Sequence, residues 1–322
     1  MLNLHYTFKW LSWSRPTGAP RPPPEGLERH WVETPDGRIE VLAAVPTKPS
    51  GGPPLVFVHG GMGCAWVWGD YMRYCASKHG ITCYAVSLRG HGESWHPSYL
   101  KLVFGTTRRM LADDLVVCIR WVQDREGGEV VLVGHSSGGG LSQDILSQGD
   151  VSVKGLALLG AVPGFGSMGV YRNWARLDPW FSLRMLLHGW HPNSPLSHPV
   201  LVRRAFFSND ISDAYLSEFQ GRLSRYESFR WALSMMRTFA DPARTLTHIN
   251  GGSAPKMLIM TGSEDKIVTP AVAEQLAAFY REAAAGREAV EVLLVPTAGH
   301  HLQNDLNWED GAMKLVGFYQ RL

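Results

Sequence analysis

The sequence predicts an α/β protein, a parallel sheet with helices on both faces. Three observations carry this. Short apolar runs of strand length alternate with stretches of helical periodicity. Runs such as LVFVHGG and EVVLVG end in glycine and are apolar almost throughout, as strands buried on both faces are when they enter a loop. After a long aromatic stretch without a convincing buried strand, the same rhythm returns with KMLIMTG and VEVLLVP.

The elements follow in order. RPTGAPRPPPEG, residues 15–26, is too rich in proline for a helix interior and reads as an extended lead-in. HWVET and IEVLAAV flank the turn residues Pro35, Asp36 and Gly37 and predict a hairpin. LVFV is the next strand, 66–79 a helix and ITCYAVSL a strand. After the loop RGHGESWHPS, a helix over 106–124 places Leu111, Leu115, Ile119 and Val122 at helical spacing. EVVLVG is a strand, 139–148 a helix and VKGLALLGAV a strand. Residues 163–249 break the pattern with aromatics, arginines and proline-broken pieces such as HPNSPLSHP, and read as a helical insertion. KMLIMTG, a helix over 270–285, VEVLLVP and a final helix over 307–321 complete the chain. The domains expected are an N-terminal extension (1–26), a core (27–162 and 250–322) and the helical insertion (163–249).

Composition narrows the function. The 322 residues are 45% hydrophobic and 19% charged, with a formal net charge of +2. No long basic run or acidic tail points to nucleic acid or another polyanion. Cys64, Cys75, Cys83 and Cys118 lack metal-ligand spacing and read as free core thiols, which suits a reducing, cytoplasmic setting. No apolar run approaches the roughly 18 to 20 residues that span a bilayer. MLNLHYTFKWLSW lacks the features of a secretion signal. It is expected to pack on the core or on a neighbouring subunit, as in a homodimer, with a shallow membrane-surface contact as the lesser alternative.

The stretch VGHSSGGG carries the chemistry. Gly134-His135-Ser136-Ser137-Gly138 fits G-x-S-x-G, with a strand before it and a helix-compatible segment after it. On such a turn the serine backbone is strained, and glycine at the flanks avoids a clash. Centring on Ser136 puts glycine at both flanks; centring on Ser137 does not. Ser136 is therefore the candidate nucleophile, and Ser137 the candidate donor of a backbone N–H.

A serine hydroxyl needs a base. VEVLLVPTAGHHLQND offers His300 and His301 directly after the last strand. His300, preceded by glycine, is preferred, and His301 reads as a packing residue. KMLIMTGSEDKIVTP offers an acid to orient the base, with Asp265 preferred over Glu264. The second oxyanion N–H is expected from His59-Gly60-Gly61-Met62-Gly63, with Gly61 the likelier donor, Met62 the alternative and His59 a brace.

Together, HGGMG (59–63), RGHGES (89–94), GHSSG (134–138), GSED (262–265) and GHH (299–301) resemble the α/β-hydrolase superfamily over nearly the whole chain. The resemblance implies an eight-stranded, mostly parallel sheet with a lid inserted after the sixth strand, where 163–249 falls. Ser87 stands where many relatives have aspartate. The activity implied is two-step acyl transfer by Ser136, His300 and Asp265, without metal or organic cofactor. The substrate expected is a medium-sized hydrophobic ester or lactone. The same residues also serve C–C bond hydrolases, thioesterases, lyases and cyclases, and a receptor that keeps the triad is a further alternative. Serine at the turn argues against epoxide hydrolases and haloalkane dehalogenases, which use aspartate there. Arg172, Arg176, Arg203, Arg204, Arg222 and Arg225 could bind a carboxylate, but read chiefly as solvated helix faces.

Overall fold

The computed structural model describes residues 3–251, 256–284 and 289–322. Eight strands form one sheet: β1 (Glu28–Thr34), β2 (Gly37–Ala44), β3 (Leu55–Val58), β4 (Cys83–Ser87), β5 (Val131–His135), β6 (Gly155–Leu159), β7 (Met257–Gly262) and β8 (Val290–Val295). Their spatial order is β1-β2-β4-β3-β5-β6-β7-β8. β1 and β2 form the expected hairpin, with Thr34 opposite Gly37 at its turn, and β2 pairs antiparallel with β4. The other pairings are parallel.

Side-chain alternation divides the core in two. Leu55 and Phe57 of β3, Val131 and Val133 of β5, and Ala157 and Leu159 of β6 face a cluster with Trp68, Tyr71, Leu315 and Phe318. That face belongs to α1 (Gly69–His79) and a C-terminal helix, Trp308–Tyr319. Val56, Val58, Leu132, Leu156 and Leu158 face the opposite way, toward Leu111, Leu115, Ile119, Leu141, Ile145 and Leu276. Those residues come from α2 (Arg108–Glu126), α3 (Ser136–Gln148) and a later helix, Pro270–Ala283. A period of two with both faces apolar is the signature of a sheet covered on both sides.

Some boundaries differ from expectation for local reasons. The helix expected over 66–79 opens as a 3-10 turn, Ala65–Trp68, before α1. The helix expected from 106 starts at Arg108, because the Thr107 hydroxyl caps it by accepting from the Met110 N–H at 3.3 Å. The helix expected from 139 starts at Ser136, so the strand passes into α3 without a linker. Ala285, expected to end a helix, lies outside the described residues, as do 252–255 and 286–288 of the expected core segment and Met1 and Leu2 of the extension.

Between β6 and β7 run α4 (Met168–Leu177), α5 (Phe181–Leu187), α6 (Pro199–Phe206), α7 (Asp213–Arg222), α8 (Phe229–Ser234) and α9 (Pro242–Thr247). Pro270–Ala283 and Trp308–Tyr319 are α10 and α11. The N-terminal segment that precedes the lead-in lies on this insertion. Arg184 donates to the Leu4 carbonyl, the Tyr6 hydroxyl to that of Leu187, and Arg225 to the Ser12 hydroxyl. Arg184 is buried and paired with Asp178, so this insertion arginine is an internal strut.

All four cysteines are buried free thiols. Among the described residues, no helix is long and apolar enough to cross a membrane, and no cluster of three His, Cys, Asp or Glu side chains could hold a metal ion.

Candidate active site

The loops that leave β3, β5, β7 and β8 at their carboxyl ends converge, where parallel sheets commonly place ligands. Ser136 sits between β5 and α3 at φ +50°, a left-handed value that costs a non-glycine residue about 1 kcal/mol or more. Its neighbours allow this turn only because they lack side chains. A Cβ on Gly138 would collide with the His59 carbonyl oxygen, and one on Gly134 would lie 2.6 Å from the Gly139 Cα. The carbonyl of Ser136 is held by the Val162 N–H at 2.9 Å.

His300 follows β8. Its Nε2 lies 3.0 Å from the Ser136 Oγ, and its Nδ1 2.8 Å from the Asp265 Oδ2. With the proton on Nδ1 toward Asp265, Nε2 is left to accept from the serine hydroxyl. Asp265, after β7, is held in turn. Its Oδ1 accepts the Ile267 and Val268 N–H groups at 2.8 and 2.9 Å, and Thr261 donates to Oδ2 at 3.3 Å. The structure thus brings Ser136, His300 and Asp265 into one chain of hydrogen bonds.

The alternatives fall elsewhere. Glu264 is exposed. His301 is buried with its ring against Phe206 and Phe219, at centroid distances of 4.7 and 4.9 Å. Burial, with His300 beside it, pulls its pKa down to about 3, so it remains neutral.

The loop after β3 lies against the serine. A Cβ on Gly60 would come 2.8 Å from the Ser136 Cβ. The Gly60 carbonyl faces the His59 Nδ1 at 2.7 Å and the Gly63 N–H at 3.1 Å. Because the peptide is planar and trans, the N–H of Gly61 points away from both. The Met62 N–H is already engaged, donating to the Glu227 Oε2 at 2.7 Å. Ser137, second in α3, has one of the first-turn amides that no helical carbonyl can satisfy, at the positive end of the helix. In the runs 59–63 and 135–138, all residues are buried except Gly61, Ser136 and Ser137, which are partly exposed. A separate cavity of about 330 Å³ lies between the N-terminal segment and the insertion, lined in part by Trp10, Leu11 and Leu196. None of the residues just described lines it.

His59 is buried and its pKa is driven well below 6.5 by burial and the nearby His91. As a neutral ring it donates from Nδ1 to Gly60 and accepts the Leu88 N–H on Nε2 at 3.1 Å. Ser87 stands directly across from Glu40 in the β2–β4 register, and its hydroxyl donates to the Glu40 Oε2 at 2.7 Å. A carboxylate is therefore present beside β4, supplied by the neighbouring strand. Arg203 and Arg222 pair with Asp213 and Glu218, while Arg204 donates to the Leu177 carbonyl.

Four residues escaped the sequence reading. The His135 Nε2 lies 3.0 Å from the His300 carbonyl, and burial together with the two following histidines holds the ring neutral, so it donates there. Asp305 accepts the Gly299 N–H at 2.8 Å and both the N–H and hydroxyl of Ser208, tying the histidine loop to the insertion. Glu227 and His91 meet beside Met62 at 2.9 Å. His91 lay within the quoted RGHGES run, but Glu227 follows no spacing rule that would single it out.

The alpha/beta hydrolase family model matches residues 55–310. Protein phosphatase methylesterase 1 of Gibberella zeae is 27% identical over 297 residues, covering 85% of this chain and 68% of the relative. The Aspergillus oryzae protein of that name is 25% identical over 308 residues, covering 85% and 65%. This chain thus spans about two thirds of the length of those relatives. Among solved structures, a thermophilic esterase from Thermogutta terrifontis matches with a TM-score of 0.61 over 91% of this chain and 98% of its own, at 17% identity. Sheet order, loop convergence and a family match over most of its length agree: the chain belongs to the alpha/beta hydrolase family.

Proposed function

We propose that the protein is a serine hydrolase that cleaves a carboxylic ester or lactone of a medium-sized hydrophobic substrate through an acyl-enzyme. The observation that carries this is the pair of contacts from Ser136 to His300 and from His300 to Asp265, at 3.0 and 2.8 Å, on a left-handed turn. In this reading Ser136 attacks the carbonyl carbon as His300 takes its proton. The N–H groups of Gly61 and Ser137 hold the oxyanion, each worth about 3 to 4 kcal/mol of barrier. His300 then protonates the leaving alkoxide. Water, activated by the same imidazole, releases the acid and restores the serine.

The helices between β6 and β7 act as the lid in this proposal. Phe206 places an apolar ring 5.8 Å from that of His300, which favours a hydrophobic substrate group beside the base. An ester is favoured over a carbon–carbon bond by the similarity to proteins named methylesterases. The test is a panel of methyl and p-nitrophenyl esters and aryl lactones in ¹⁸O-water. Hydrolysis that places one labelled oxygen in the acid, and that falls about 10⁴-fold or more in Ser136→Ala, is expected. A panel left intact by the pure protein would sink the ester reading.

A further inference from the structure

The loop that carries Gly61 contains three glycines, and its own bonds, from the His59 Nδ1 and the Gly63 N–H, meet only the Gly60 carbonyl, leaving Met62 to be held from outside. Met62, between two of these glycines, sits at φ +64°. Both peptide groups of Met62 are taken by the insertion. Its N–H donates to the Glu227 Oε2 at 2.7 Å, and its carbonyl accepts the Ser224 N–H at 2.8 Å. The Ser224 hydroxyl donates to the next carbonyl, that of Gly63, at 3.1 Å. The insertion segment is itself pinned, since the Tyr226 hydroxyl donates to the Pro97 carbonyl at 2.8 Å and that of Ser228 to the Thr106 carbonyl at 2.6 Å.

Glu227 is buried and its oxygens are occupied. Oε2 faces the His91 Nε2 at 2.9 Å besides Met62, and Oε1 accepts the Ser228 N–H at 2.7 Å. The His91 Nδ1 faces the Arg89 carbonyl at 2.9 Å, so both ring nitrogens meet acceptors, an arrangement that only the imidazolium satisfies. Burial opposes charge on both partners. Their mutual attraction and hydrogen bonds outweigh it, raising the histidine pKa and lowering that of the carboxylate. A Cβ on Gly61 would lie 3.6 Å from the Ser137 Oγ and 3.7 Å from the Glu227 Oε2, so this carboxylate stands directly behind the oxyanion loop.

We propose that Glu227 is a positioning residue: set by His91, its carboxylate holds Met62 in the left-handed conformation and so aims the Gly61 N–H at the oxyanion, making the hole conditional on the insertion being seated. This rests on the serine-hydrolase reading above. Releasing Met62 lets a strained non-glycine residue relax, which rotates the Gly61–Met62 peptide and the donor before it.

The full chain is compared with Glu227→Met, which fills the space without an acceptor, and Glu227→Gln, which keeps the shape and one acceptor. With p-nitrophenyl butyrate, kcat is expected to fall about 100-fold or more in E227M, the scale of one lost oxyanion donor, while KM changes less than about threefold. E227Q should retain at least about tenfold more kcat than E227M and, folding as the wild type does, keeps the comparison possible. A crystal structure of E227M should show Met62 outside the left-handed region. A folded E227M with wild-type kcat, or with Met62 still near its present φ, overturns the proposal. Should the wild type hydrolyse no ester, the serine-hydrolase reading fails while the conformation of Met62 in E227M still decides the clamp.

Discussion

Ser136 and Met62 are both held at positive φ, and the loops that carry them touch. Each strained residue is over-determined by its surroundings: Ser136 by the glycines around it and the bond from Val162, Met62 by bonds on both sides. The serine was legible because its constraint is written locally, in glycines two before and two after. Met62 was only a candidate donor, because the carboxylate that takes its N–H arrives from 165 positions away. Asp265 and Glu264 differ in the same way. Adjacent in sequence, they part in space because Asp265 turns inward onto the N–H groups of Ile267 and Val268.

His91 yields a prediction at this scale. Its folded pKa lies above the unfolded value of 6.5, so the stability it contributes is complete below about pH 6.5 and fades as pH rises through the folded value. Of the groups around it, His59 and His96 have lowered pKa values and are neutral in that window, while Glu227 is ionised throughout it. Melting temperatures measured from pH 6 to 9 should therefore decline more steeply for the wild type than for His91→Gln. Parallel curves would show that the imidazolium is not part of the folded state.

At the scale of elements, the strands were read well because two-sided burial makes each a short apolar run. Helix starts were read less well, since caps and tight turns rest on single contacts. The helix expected from 139 shows why this matters. The sequence placed the helix start at Gly139, past both serines, yet α3 begins at Ser136, and this presents the Ser137 amide at the helix's positive end. Gly138 is required there by the His59 carbonyl, a backbone group that cannot swing aside. Gly138→Ala is therefore expected to force β3 and α3 apart, lowering stability by about 2 kcal/mol or more and removing esterase activity. Chemical denaturation measures it, and an unchanged midpoint would contradict the close approach.

At the scale of the molecule, the sheet order and the chain order of serine, acid and base belong together. Parallel strands deliver their loops to one edge, so residues 136, 265 and 300 meet there although long stretches of chain separate them. Family motifs made that legible. The fastening of the insertion was not, because Asp305 to Ser208 and Glu227 to Met62 are partnerships between distant segments without fixed spacing. The N-terminal segment adds a further layer through Arg184 and the Leu4 carbonyl. The proposed chemistry depends on one hydroxyl, that of Ser136, and its reaction with a fluorophosphonate probe, followed by intact mass and peptide mapping, tests it most directly. A single adduct on Ser136 is expected in the wild type and none in Ser136→Ala, with Ser137 unmodified. An unlabelled wild type, or an adduct on Ser137, would contradict it.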